Sequence, residues 1–174
     1  MDAAAALRAV VVCHTYGVPC EDIDAVATLA RGRGVLLIED ICECVGARSR
    51  SGRLLGTFGD FACASLYANK IIHGGDGGFV LARRADVGDR LRSLANHGFT
   101  GTHHFLHHDV APNAKMQGVA AAIAVGCLAR LPDVLAQRVR IAEWYRRALA
   151  PLPSGWRLMP LSASTPWVFC VEAP

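Results

Sequence analysis

The stretch Phe61-Ala62-Cys63-Ala64-Ser65-Leu66-Tyr67-Ala68-Asn69-Lys70-Ile71-Ile72-His73-Gly74-Gly75-Asp76-Gly77-Gly78-Phe79-Val80-Leu81-Ala82 sets two apolar runs around a lysine and a cluster of glycines. Short apolar runs bounded by turn-forming residues predict buried strands, here over 61–67 and 79–82. Ala9–Cys13 and 35–38 read as two more strands, the second stopped by Glu39-Asp40. Residues 22–31 and 86–95 read as amphipathic helices. Unbroken apolar strands alternating with helices predict an α/β fold: a mostly parallel sheet with helices on both faces. Farther along, 116–131 and 133–149 read as a helical pair broken at Pro132, because proline removes a backbone donor. Beyond Pro151-Leu152-Pro153 the composition changes, and 156–159 and 167–171 read as strands of a new unit. The expected division is a partial large domain over 1–131, then a connecting helix and the start of a small α+β domain over 132–174.

The lysine in the opening stretch is unusual in itself. The chain carries 16 arginines and two lysines, Lys70 and Lys115. Where arginine serves almost every need for positive charge, a retained lysine raises the question of what arginine cannot do. One answer is covalent chemistry: an amine can lose its proton and condense with an aldehyde, whereas a guanidinium stays charged and non-nucleophilic. A surface lysine retained by chance is the plainer reading.

Bulk properties narrow the classes. The 174 residues suit one domain with the start of another. The net charge of +3 is spread thinly, which argues against nucleic acid as a partner. Seven cysteines without framework spacing predict a reduced, cytoplasmic protein, and Cys42 and Cys44 form only a CxC with no second pair at zinc-site spacing. No basic leader is seen, and the longest apolar stretch, Gly118–Ala129, is too short to span a bilayer. A membrane is therefore not an expected partner. The chain opens almost directly into a core strand and stops inside another, so a fragment is expected.

Two readings compete at Asp40. Carboxyl ends of parallel strands face the ligand crevice of an open α/β sheet, which suits a functional carboxylate. Equally, Asp40-Ile41-Cys42-Glu43 matches a capping box opening a helix. The glycines after Lys70 fit neither a Walker A loop, since Lys70 precedes them, nor a G-x-G-x-x-G.

Taken in order, His14-Thr15-Tyr16-Gly17, Ile38-Glu39-Asp40, Gly59-Asp60, Ser65 to Lys70, Gly75-Asp76-Gly77-Gly78, Asn96-His97-Gly98-Phe99 and Asn113-Ala114-Lys115-Met116 form a specific series. It closely resembles the DegT/StrS-type nucleotide-sugar aminotransferases, pyridoxal-phosphate enzymes of the aspartate-aminotransferase fold (fold type I). The resemblance runs from about residue 9 to 147. It implies an enzyme that moves an amino group, from glutamate, onto a keto-sugar nucleotide in polysaccharide or antibiotic sugar biosynthesis. Lys70 then corresponds to the lysine that joins pyridoxal 5'-phosphate and shuttles the proton, and Asp40 to the carboxylate paired with the pyridinium nitrogen. Ser65 corresponds to a hydroxyl donating to the cofactor phosphate, and Glu43 to a residue lying against the ring. Asn113 resembles the asparagine that reaches the cofactor phosphate of a neighbouring subunit, implying a homodimer with shared sites.

Departures from the pattern also count. Ala114-Lys115 replaces the usual aromatic-Arg, and Ile72-His73 the usual threonine pair, so His73 either touches substrate or fills the threonine space. A family branch with histidine at the lysine position dehydrates sugars, and Lys70 therefore favours transamination. The histidines His103, His104, His107 and His108 have i, i+4 spacing that on a helix could bind zinc or nickel. A loop or substrate contact is the simpler expectation there, and no metal is assigned. Trp144 and Tyr145 read as core or interface residues. The resemblance also implies upstream phosphate-binding and ring-stacking elements that these 174 residues do not contain. An inactive fragment or degenerate member is thus the alternative function.

Overall fold

The computed structural model describes residues 7–100, 103–158 and 166–174. Strands β1 (Ala9–Cys13), β2 (Leu36–Asp40), β3 (Phe61–Ser65) and β4 (Gly78–Ala82) form one sheet in that order. The first three are parallel, and β4 returns antiparallel to β3. The α/β class and the mostly parallel sheet follow the expectation. Helix α1 (Ile23–Gly32) makes the crossover from β1 to β2 and buries Ile23, Ala27 and Ala30, an i, i+4, i+7 stripe. These residues pack with Leu37, Ile41, Phe58, Ala62 and Ala64 in the main core.

The register sorts the strand residues onto two faces. Val12, Glu39 and Ala62 form one row on the core side. Val11, Ile38 and Phe61, and then Cys13, Asp40 and Cys63, form rows on the other. That second face stays open among the described residues, with Val11 64% and Leu36 46% exposed. The apolar runs are continuous in sequence, but a strand turns alternate residues to opposite faces, and α1 with the loop before β3 covers one of them.

Helix α2 (Ala85–Ala95) contacts β4 and leads into the hairpin of β5 (Phe99–Thr100) and β6 (His103–His107). Helices α3 (Gly118–Ala129) and α4 (Leu131–Ala148) meet at a 67° bend. The bend centres on Arg130, which ends one helix and begins the next, rather than on Pro132. Pro132 lies in the first turn of α4, where an amide has no helical acceptor to lose. Among the described residues no single helix is long and apolar enough to cross a membrane. Strands β7 (Arg157–Leu158) and β8 (Val171–Glu172) pair antiparallel. They are shorter than expected; Met159 lies outside the described residues, and Trp167 makes other contacts. Trp144 and Tyr145 are exposed rather than core, and Tyr145 stacks on Phe169 with ring centroids 5.0 Å apart.

The glycine cluster has a packing reason. The segment folds back on the end of β3, with Gly74 N–H donating to Leu66 O at 2.8 Å and Leu66 N–H to Gly77 O at 2.9 Å. A Cβ on Gly74 would lie 2.5 Å from the main-chain oxygen of Ala120, so a side chain there drives the loop into α3. Gly74→Ala should therefore lower stability by about 1–3 kcal/mol, the usual cost of overpacking. A urea-unfolding midpoint unchanged from the parent chain would show that the loop gives way instead.

Candidate active site

The site starts from two adjacent acids on β2 that point to opposite faces. Glu39 faces inward and is fully buried. Its Oε1 accepts the amides of Phe58 and Gly59, and its Oε2 accepts that of Gly56, each at 2.7 Å. His14 Nδ1 accepts the Cys20 amide at 3.0 Å, which leaves the ring proton on Nε2, 3.4 Å from Glu39 Oε2. Burial pushes this carboxyl upward, but His14 and the Gly59, Gly56 and Phe58 amides outweigh it and hold it below the ordinary 4.5. One carboxylate thus anchors the loop before β3 and the turn after β1 to the central strand.

Asp40 faces the other way, at the carboxyl end of β2. Its Oδ1 accepts the Cys42 amide at 3.0 Å. The capping-box reading does not hold, because no helix follows Asp40 and 41–46 forms turns. Glu43 does not reach back to Asp40. Instead its Oε2 accepts the Tyr16 amide at 2.6 Å, and its Oε1 lies 3.5 Å from Lys70 Nζ. Burial, then Asp40, push the Cys42 thiol up to about 12, and burial raises Cys44 as well. Both therefore stay thiols at neutral pH.

Lys70 lies in the turn after β3, its amide donating to Tyr67 O at 2.9 Å and its side chain only 13% exposed. Nζ sits 3.9 Å from the ring centroid of Trp167. Ser65 ends β3 on the same face as Cys63 and Asp40, and its Oγ accepts the Tyr67 amide at 3.2 Å. Lys70 and Glu43 are brought into contact, with Asp40 and Ser65 at the ends of adjoining parallel strands. Asn113 is not joined to them. It is exposed, bridged to Asn96, and shares no hydrogen bond or ion pair with the other four among the described residues.

The histidine cluster is corrected in one respect. His103 to His107 form strand β6, where a loop was the simpler expectation. His107 Nδ1 lies 2.7 Å from His97 O, and its ring 4.7 Å from that of Phe99. Among the described residues no three His, Cys, Asp or Glu side chains are grouped to hold a metal.

Sequence reasoning missed Trp167 and the structural role of Glu39. Glu39 had a usable signal, a carboxylate on the core-facing period of a strand. Trp167 had none, since it meets Lys70 and Asn69 from 98 residues beyond Asn69.

The groups present fit pyridoxal phosphate. Lys70 offers an amine, Asp40 a carboxylate at a strand end, and the Ser65 hydroxyl proton has no partner among the described residues. An α/β sheet thus ends two adjoining strands in a carboxylate and a hydroxyl, and the turn that follows carries a largely covered amine. The chain belongs to the DegT/DnrJ/EryC1/StrS aminotransferase family, whose model matches residues 4–170. A GDP-perosamine synthase of Vibrio cholerae is 37% identical over 146 residues, covering 84% of this chain and 39% of the relative. A dTDP-3-amino-3,4,6-trideoxy-alpha-D-glucose transaminase of Micromonospora megalomicea is 36% identical over 146 residues, covering 83% and 38%. The crystal structure of the aminotransferase TlmJ from Streptoalloteichus hindustanus superposes with a TM-score of 0.87 at 36% identity, covering 96% of this chain and 46% of that one. The chain spans about two fifths of the length of the curated relatives it matches.

Glu39 sets a pH dependence. Its carboxyl is held low in the folded state, so its contribution is present above about 4.5 and lost as pH falls through the folded value. Glu39→Gln should cost about 2–4 kcal/mol at neutral pH, because an amide nitrogen replaces an oxygen that accepts buried donors. The variant should also flatten the acid limb of the stability curve. Urea titrations from pH 3 to 7 check both, and parallel curves for the two proteins would contradict the assignment.

Proposed function

We propose that this chain is the lysine-bearing part of a pyridoxal-phosphate aminotransferase that moves an amino group, from glutamate, onto a keto-sugar nucleotide. The observation that carries the reading is Lys70 itself, an almost buried amine held 3.5 Å from Glu43 beside the strand end that carries Asp40. Family membership and the amino-sugar enzymes among its relatives support the substrate class. When bound, the cofactor supplies an aldehyde carbon for the amine and a ring that accepts the electron pair left when the substrate proton departs. The protein's own groups do the rest. Lys70 would be the amine that takes the aldehyde and, once free, the group that moves a proton. Asp40 would be the carboxylate that holds the ring nitrogen in its protonated form. Ser65 would offer its hydroxyl to the phosphate, and Glu43 would steady the lysine and take a place against the ring.

Asn113 is assigned to the site of a second copy in a homodimer. Its exposure and its separation from the Lys70 contacts are the placement that such a residue needs. The cytoplasm is the proposed location, supported by seven free thiols in the chain.

Lys70→Arg keeps the charge and removes the nucleophile. It should abolish the visible absorption of the lysine-bound cofactor and reduce glutamate-dependent amination of a keto-sugar nucleotide by at least about 10²–10⁴-fold, the range typical of a lost acid–base group. A variant that keeps the band or the turnover would rule out Lys70. A parent chain with neither favours the alternative, in which this stretch alone binds no cofactor.

A further inference from the structure

We propose that Trp167 is a positioning residue for Lys70, its indole face fixing Nζ where the cofactor aldehyde must meet it. The inference rests on Lys70 being the cofactor-binding lysine. A lysine tip rides on a long flexible stem, and an ion pair near solvent does little to confine it. Here Nζ has Glu43 Oε1 at 3.5 Å and the Trp167 ring centroid at 3.9 Å. An aromatic face attracts a cation from a defined direction, which a carboxylate alone does not impose.

Trp167 is itself held at three points. Its amide donates to Tyr16 O at 3.1 Å, and its carbonyl accepts from Arg138 Nη1 at 3.3 Å. Its indole N–H donates to Asn69 O at 2.9 Å. Asn69 directly precedes Lys70, so the ring is registered against the very turn that presents the lysine. Tyr16 closes the circuit, since Glu43 takes its N–H while Trp167 takes its carbonyl. Two side chains thus flank the amine, and the Tyr16 and Asn69 main chain ties them to one another and to its turn. A residue serving only to tether the C-terminal segment would need the indole N–H but not a cation over its face.

The chain's two lysines provide the test. Pyridoxal phosphate is added to the 174-residue chain and the product trapped with borohydride. The neutral amine adds to the aldehyde carbon, water leaves, and hydride adds to the carbon of the new C=N bond to give a secondary amine. Peptide mass spectrometry then gives the ratio of label at Lys70 to label at the exposed Lys115. The parent chain should prefer Lys70. Trp167→Leu should lower the ratio roughly 3- to 30-fold, because the amine loses the wall that holds it in the orientation for attack. Trp167→Phe keeps a ring face without the N–H and should retain most of the preference. Trp167→Met, which fills the space without a ring, repeats the test if the leucine variant loses its native circular dichroism. Equal labelling of both lysines in the parent chain overturns the Lys70 assignment and this inference together. A parent preference that survives the leucine or methionine change, or that rises because the indole merely shields the amine, overturns the role of Trp167 alone. An equal loss in the phenylalanine and leucine variants makes the indole a tether and overturns it too.

Discussion

A buried carboxylate held mainly by backbone amides organises this structure. Glu39 lies in the middle of the core, where an isolated charge is among the costliest groups to bury. It is tolerable because three main-chain amides and one imidazole converge on it. The constraint acts in both directions. The carboxylate needs those donors, and the loop before β3 needs an acceptor for amides that no strand or helix satisfies. Its position also settles its neighbour. With Glu39 turned inward, the alternation of a strand turns Asp40 outward, at the edge where β1, β2 and β3 end together. The reactive face is therefore a by-product of how the inner face is held.

The same economy appears around Lys70. Glu43 spans two tasks, holding the Tyr16 amide with one oxygen and facing the lysine with the other. Tyr16 adopts φ 61, a left-handed conformation uncommon outside glycine, and its amide and carbonyl are both engaged by residues of the lysine cage. Strain of this kind persists where surrounding contacts over-determine it. The turn after β1 is thus shaped by what it connects as much as by its own sequence.

Much of the fold was legible because its signals are local. The four strands of the main sheet and the helices α1 and α2 each carried a periodicity or a pair of turn residues. What failed was the reading of surroundings. D-x-x-E spelled a capping box where Glu43 had a longer-range use. Pro132 looked like a breaker, yet a first-turn proline breaks nothing. At the site, the resemblance located Asp40, Ser65 and Lys70 on one edge, while Trp167 stayed invisible because chain distance hides such a partner from any local pattern.

That distance has a bearing on how the molecule matures. The sheet up to β4 can assemble from segments that follow one another closely, whereas the indole that covers Lys70 arrives 98 residues after the turn it caps. Contacts between remote segments are slow to form, because a long loop must close before they return any stability. On a growing chain, Lys70 leaves the ribosome well before residue 167 does. The amine therefore begins life as an ordinary solvated lysine. It acquires its particular surroundings only when the segment around residue 167 reaches the turn that carries it.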